Sequence, residues 1–197
     1  MIEEKMLYHY GAELILYKKE SLIFKECQTP LFYFQVRTGN IKLNNYKEDG
    51  KEFIQNILSD GQSFGESLLC NDMCYPMNAI ATEDSYVLQL PKCRFMELLS
   101  DHPEVSIRLN KILSQRLYFK YVMLVNLSCS DPKTRLLCLM DYLKSFQLDR
   151  EKFSFKIPLT RQEMANLTGL CVETVIRNVK KLARNKELLI VDRKIYY

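Results

Sequence analysis

Within residues 159–182, LTRQEMANLTGLCVETVIRNVKKL, Glu173 and Arg177 stand four residues apart and are followed by Lys180 and Lys181. On a helix, that spacing brings the glutamate and arginine onto one face, one turn apart. A carboxylate so placed accepts a hydrogen bond from the amino group of cytosine, and a guanidinium grips the edge of guanine with two bonds. Lysines around them neutralise phosphates. The chemistry offered is recognition of double-stranded DNA, set against the plainer alternative of an ordinary helical hairpin with a surface Glu and Arg.

Two short amphipathic helices must position these groups. Thr160 is placed to cap the first, and Glu163 three residues later completes a capping box. Met164, Ala165 and Leu167 supply its inward face. Gly169 stands where the turn needs a permissive backbone, and Val172 or Cys171 starts the second helix. Val175, Val179 and Leu182 then face the core at i, i+4 and i+7, which leaves Glu173, Thr174, Arg177 and Lys181 on outward or flanking surfaces. The tail LLIVDRKIYY, Leu188 to Tyr197, reads as strand, turn and strand: a short wing.

Other chemistries lack their residues. No Ser-His-Asp set, HExxH, Gly-rich phosphate loop or clustered carboxylates can be found, so no catalytic residue and no enzyme is expected. The seven cysteines are odd in number. Their one close pair, Cys70 and Cys74, has no second pair or histidine nearby to complete a tetrahedral site, so neither a structural metal nor an iron–sulfur cluster is expected. His9 and His102 each lack any surrounding ligand set for haem, and no cofactor is assigned.

Upstream, the chain changes character twice. Leu14–Tyr17, Ser21–Phe24, Leu31–Thr38, Asn40–Asn44, Phe53–Leu58 and Tyr86–Leu90 are rich in aromatic or β-branched residues and are separated by turns at Gly39, Asp49-Gly50 and Asp60-Gly61. Short strands at this spacing predict an antiparallel sandwich or barrel. A long helix follows from Pro103, a residue suited to a first helical turn, with Val105, Leu109, Ile112, Leu113, Leu117, Met123, Leu124 and Leu127 at helical spacing. About two dozen helical residues span about 36 Å, more than one small β domain covers. A second copy of the helix is the simplest partner. Asn126–Asp131 (NLSCSD) is small and polar and predicts a domain boundary, with Asp131-Pro132 opening another helix to Phe146. A β-like stretch, Phe153–Ile157, leads into the helical pair.

Charge is divided unevenly. Residues 150–197 hold 11 Lys and Arg against 5 Asp and Glu, whereas the preceding 149 residues hold 17 against 19. The positive charge therefore belongs to the C-terminal segment, as a DNA-facing module requires, although a solvated basic face gives the same count. No run of about eighteen uncharged apolar residues occurs, and MIEEKMLYHY is charged where a secretion signal is apolar, so a cytoplasmic protein without membrane contact is expected.

Three stretches, in order, carry a family likeness: LFYFQVRTGNIKL, EDGKEFIQNILSDGQSFGE and LTRQEMANLTGLCVETVIR. They resemble the strand-Gly-strand signature, the hairpin entering the ligand cassette and the helix-turn-helix of the Crp/Fnr superfamily of bacterial transcription regulators. The resemblance covers nearly the whole chain. It implies an α+β fold: an N-terminal antiparallel β-roll (a double-stranded β-helix, cupin-like) over 1–102, a dimerisation helix and hinge over 103–130, and a winged helix-turn-helix over 131–197.

Carried over by position, Glu173 and Arg177 become base readers, and Gln162 and Thr174 phosphate contacts, within a DNA-binding set that also holds Thr160, Arg161, Val172, Ile176, Lys180 and Lys181. Val172-Glu173-Thr174 is nearer the fumarate-nitrate-regulator pattern, with Ile176 replacing a small polar residue, and implies a GA core step in the target. The effector pocket of the family maps to Phe64, Gly65, Glu66, Tyr75, Pro76, Lys120 and Tyr121. Gly65-Glu66 matches the start of the cassette that holds phosphate and ribose, Glu66 being open to either that role or a turn cap. The family's phosphate-binding Arg-Ser pair falls at Tyr75-Pro76. Proline donates no amide hydrogen and tyrosine brings no positive charge, so a cyclic nucleotide's buried anion would go uncompensated. The adenine-holding Thr-Ser pair falls at Lys120-Tyr121, and the cysteine cluster of the oxygen-sensing branch is absent, Cys27 being the sole early cysteine.

The expectation is a homodimeric regulator on palindromic double-stranded DNA that also engages RNA polymerase, its effector an unidentified small molecule other than cyclic AMP, or none. The alternative is a nucleotide-binding regulatory module of a larger assembly.

Overall fold

The computed structural model describes residues 1–46, 48–71, 73–128, 131–145, 147, 149 and 151–197, with the side chains of 123 and 125–128 outside the description. The chain divides into two compact units, Met1–Ser114 and Gln115–Tyr197.

The first unit is a β-roll. Its strands are β1 (Glu13–Tyr17), β2 (Leu22–Phe24), β3 (Phe32–Thr38), β4 (Ile41–Tyr46), β5 (Glu52–Leu58), β6 (Ser63–Phe64), β7 (Asn78–Ala81) and β8 (Ser85–Pro91). They form two four-stranded antiparallel sheets, β1-β8-β3-β6 and β2-β7-β4-β5, so that the chain passes repeatedly from one sheet to the other. Between the sheets lies an aromatic core built from Phe24, Phe34, Phe64 and Tyr75 with Val36, Ile41 and Val87. β3 is buried on both faces: Phe34 and Val36 point into this core, while Tyr33 joins a second cluster on the outside. That second cluster is closed by helices. α1 (Glu4–His9) contributes Leu7, α3 (Lys92–Asp101) contributes Phe95 and Leu98, and the start of α4 (Pro103–Ser128) contributes Val105 and Leu109. Tyr33 stacks on Phe95 with ring centroids 4.7 Å apart.

The strands read from sequence are present within a residue or two of their expected limits. Elements without a sequence signal are α1, the two-residue β6, the four-residue helix α2 (Glu66–Leu69), β7 and α3. All four residues of β7 are buried, so its strand shows no polar alternation. α3 opens behind Pro91 with no side-chain cap, and only Phe95 and Leu98 of its ten residues are buried. The helical run thus begins at Lys92 and is broken at His102 before the expected start at Pro103.

The second unit takes the rest of α4 with α5 (Pro132–Ser145), α6 (Arg161–Thr168), α7 (Val172–Arg184), β9 (Leu189–Val191) and β10 (Lys194–Tyr196). Phe119 of α4 is buried and stacks on Tyr142 of α5, ring centroids 3.3 Å apart. Asp131 caps α5, its carboxylate accepting from the Thr134 amide at 3.1 Å and the Thr134 hydroxyl at 2.6 Å. The Thr134 hydroxyl, then its amide, holds the Asp131 carboxyl below its ordinary pKa. The boundary expected at Asn126–Asp131 is helical through Ser128, and residues 129 and 130 lie outside the described residues, as does Phe146 at the end expected for α5. The stretch expected as a strand at Phe153–Ile157 lies beside β10 through paired backbone bonds, Tyr197 N to Phe155 O at 2.8 Å and Ile157 N to Ile195 O at 2.9 Å.

Candidate nucleic-acid interface

Local sequence fixes the two-helix frame. The Thr160 hydroxyl accepts from the Glu163 amide at 3.1 Å, and the Glu163 carboxylate accepts from the Thr160 amide at 2.6 Å, so both halves of the capping box form. This satisfies two backbone donors at the start of α6. Gly169 ends α6 at φ +66°, a left-handed conformation that costs glycine nothing. Cys171 caps α7 with extended backbone, settling the alternative left by the sequence in favour of Val172 as first helical residue. Its Sγ lies 3.0 Å from the Thr174 Oγ1, and that hydroxyl, then the Thr174 amide, holds the thiol below its ordinary pKa.

Packing then decides which face α7 shows. Val175, Val179 and Leu182 are at most 1% exposed, and Met164, Ala165, Leu167 and Thr168 of α6 are buried as well. Burying that stripe turns the opposite one to solvent. Glu173, Ile176, Arg177, Lys180 and Lys181 are exposed, with Val172 and Thr174 half-buried at the flanks. On α6 and its cap, Thr160 and Gln162 are exposed and Arg161 is half-buried, where desolvation draws its pKa below the ordinary value. Gln162 donates to Asn166 at 2.9 Å, which orients its amide along the helix surface. Every residue of the expected DNA-binding set therefore lies in one unit, on or beside the solvent face of α6 and α7.

Three cations were not assigned a role by sequence reasoning. Lys156, Arg193 of the wing turn and Lys194 of β10 line a cavity of about 740 Å³ together with Arg161 and Lys180. Its lining includes Ile176, Val179 and Ile190, and no acidic residue is among the described residues around it. The signal available beforehand was the excess of cations after residue 150; their convergence needed the pairing of β9 with β10, which turns tightly at Asp192-Arg193.

The residues mapped to an effector pocket are placed differently. Phe64 is part of the aromatic core. Gly65 follows it at φ +82°, and a Cβ there would lie 3.2 Å from the Phe34 ring and 3.3 Å from the Phe32 carbonyl, so the backbone turns tightly against β3. Glu66 begins α2 and is 2% exposed. Tyr75 is 3% exposed and points into the roll, its ring stacked on Phe24 at 3.7 Å and 8°. Desolvation pushes its pKa up to about 12. Pro76 is exposed, and its carbonyl accepts from the Asn45 side-chain amide (Nδ2) at 2.8 Å. Lys120 and Tyr121 are exposed residues of α4 that belong to the second unit. Among the described residues no group of three or more His, Cys, Asp or Glu is arranged to hold a metal, and no helix is long and apolar enough to cross a membrane.

A β-roll followed by a capped helix pair and a two-stranded wing defines a two-domain DNA-binding regulator. Comparison with known proteins agrees. Residues 14–102 match the family model of the cyclic nucleotide-binding domain, and residues 134–196 match that of the Crp-like helix-turn-helix domain. The chain is 29% identical over 185 residues to the transcriptional activator protein FnrA of Stutzerimonas stutzeri, covering 89% of this chain and 75% of that protein. It is 28% identical over 159 residues to the cAMP-activated global transcriptional regulator CRP of Haemophilus influenzae, covering 80% and 70% respectively. The solved structure of FixK2 from Bradyrhizobium japonicum shares the fold with a TM-score of 0.79 at 20% identity, over 94% of this chain and 91% of that one. The chain belongs to the Crp/Fnr superfamily and is a transcription regulator of that type.

Proposed function

We propose that the chain acts as a homodimer on palindromic DNA, with Glu173 and Arg177 reading base edges from the first turns of α7. Thr160, Arg161, Gln162, Thr174, Lys180 and Lys181 hold the flanking phosphates, and Val172 and Ile176 complete the surface that enters the groove. The observation that carries this reading is the exposed stripe Glu173, Arg177, Lys180 on a helix whose opposite stripe is wholly buried. A helix so held presents its N-terminal side chains to the major groove as a rigid set.

Dimerisation is assigned to the segment 103–130, between a sensor region 1–102 and a DNA-binding region 131–197. Its support is the apolar surface that α4 leaves open: Ile107 is 71%, Leu117 50% and Leu124 66% exposed. Apolar side chains gathered on one helix mark an interface. The roll serves as a regulatory domain whose effector is not cyclic AMP. Tyr75 fills the position assigned to a phosphate ligand with a buried neutral ring, and Pro76 offers no amide hydrogen, so a cyclic phosphate would meet desolvation without a compensating charge. The protein works in the cytoplasm, engages RNA polymerase, and catalyses no reaction.

Selection from random duplexes by the full chain tests this function. The expected outcome is a palindrome with half-site centres about 34 Å apart, bound with an affinity that falls steeply with salt. Enrichment of no sequence, or of a single unrepeated half-site, contradicts it.

A further inference from the structure

We propose that Ile176 is a specificity residue that reads a thymine in each half-site through the thymine C5-methyl group. The proposal rests on α7 being the base-reading helix. Along α7 the exposed stripe runs Glu173, Ile176, Arg177, Lys180, and all of these but Ile176 are charged. Ile176 is 40% exposed, whereas the residues that anchor the helix, Val175, Val179 and Leu182, are at most 1% exposed. The helix is therefore anchored mainly by those three, and the more exposed Ile176 side chain lines the cation-bearing cavity with Lys180.

An isoleucine in that place has one way to tell bases apart. It has no hydrogen-bonding atom with which to read the donor and acceptor pattern of the major groove, and the sole apolar group on that edge is the methyl of thymine. Its β-branched side chain has few rotamers, so little freedom is lost when it packs against the methyl. Because Ile176 adjoins Arg177 in sequence and lies one turn after Val172 and Glu173, the thymine belongs to a base pair next to those that Glu173 and Arg177 read. Lysine or arginine here would instead reach for phosphate or guanine, and serine would accept several bases.

Deoxyuridine isolates the contact, since it pairs as thymidine does and lacks only the methyl. The site enriched by the wild-type chain is resynthesised with each thymine replaced in turn, symmetrically in both half-sites, and titrated with the wild-type chain and with Ile176→Ala. The wild-type chain should lose about fourfold in affinity per half-site, or about fifteenfold for the symmetric change, at one position, the value of burying one methyl. Ile176→Ala should bind the thymine site more weakly, lose most of the sensitivity to uracil at that position, and keep the wild-type salt slope. If no uracil changes wild-type affinity by more than about twofold, or if Ile176→Ala retains the sensitivity of the wild-type chain, the proposal is overturned while the base-reading role of α7 stands. A wild-type chain that enriches no sequence overturns both.

Discussion

The two regions of this chain treat their chemically distinctive residues in opposite ways. In the C-terminal unit, packing is complete without Glu173, Arg177, Lys180 and Lys181, and all four face solvent on a helix fixed from behind. In the β-roll, Phe64, Glu66 and Tyr75, which the family resemblance maps to an effector pocket, are all buried, with the two aromatic rings in one core. One region keeps its chemistry at the surface for a partner. The other holds the residues so mapped in its interior. Perturbations should therefore separate: changes on α7 alter what is bound, and changes in the roll alter how stably the protein folds.

The largest effect is expected where both depend on a shared element. Leu117→Glu places a charge on the open apolar face of α4, where Leu117 is 50% exposed. Sedimentation should shift from twice the 23.3 kDa chain mass towards a monomer, and affinity for a palindrome should fall by about 10²- to 10⁴-fold as two linked half-site interactions become independent. A variant that remains dimeric with unchanged affinity would move the dimer interface elsewhere.

Next in size is Tyr75→Ala. Emptying the site beside Phe24 should cost about 3 to 5 kcal/mol by denaturant unfolding, as large-to-small aromatic changes in a core do. The DNA sequence preferred by the folded fraction should not change. A loss below about 1 kcal/mol would show that Tyr75 is not part of the core.

Thr160→Ala removes one side of the capping box on α6 and should cost about 1 kcal/mol of stability. It should weaken binding to all duplexes alike, because it loosens the frame rather than a base contact. A change in sequence preference would argue against that division.

A pH dependence is expected from Tyr75 as well. Desolvation raises the Tyr75 pKa from its ordinary value of 10.0 to about 12. A neutral phenol favoured in the folded state contributes stability that is fully present below about pH 10 and is lost as pH rises from there through about 12. Unfolding titrations should show a decline across that window which Tyr75→Phe reduces. An identical decline in both proteins would assign it to other tyrosines such as Tyr17 and Tyr142, whose pKa values burial also raises.

How far the sequence revealed these arrangements follows from the range over which each signal acts. The frame of α6 and α7 was legible almost to the residue, because a capping box, a glycine turn and an i, i+4, i+7 apolar stripe are all local. β7 was not: Asn78–Ala81 is buried through its two neighbours β2 and β4, which come from distant sequence, and nothing within it alternates. α3 escaped because tertiary burial of Phe95 and Leu98 holds it without a cap. The cations Lys156, Arg193 and Lys194 were visible only as a count until β9 paired with β10 and brought them beside Arg161 and Lys180. Tyr75 shows the converse limit. The resemblance maps it to a ligand position, but its stacking on Phe24 depends on a loop pairing, Cys27 N to Tyr75 O at 2.8 Å, that joins segments far apart in sequence.

The central claim, that exposed residues of α7 read sequence while the lysines around them hold the duplex, is tested most directly by parallel selections from random duplexes with the wild-type chain, Arg177→Ala and Lys180→Ala. Arg177→Ala should cost about 1 to 3 kcal/mol on the preferred site and flatten the preference at one position of each half-site. Lys180→Ala should enrich the wild-type palindrome with lower affinity throughout and a salt slope reduced by about one for each phosphate that is no longer neutralised. If Arg177→Ala enriched the same palindrome with the same stringency as the wild-type chain, α7 would not read bases through Arg177 and the claim would be contradicted.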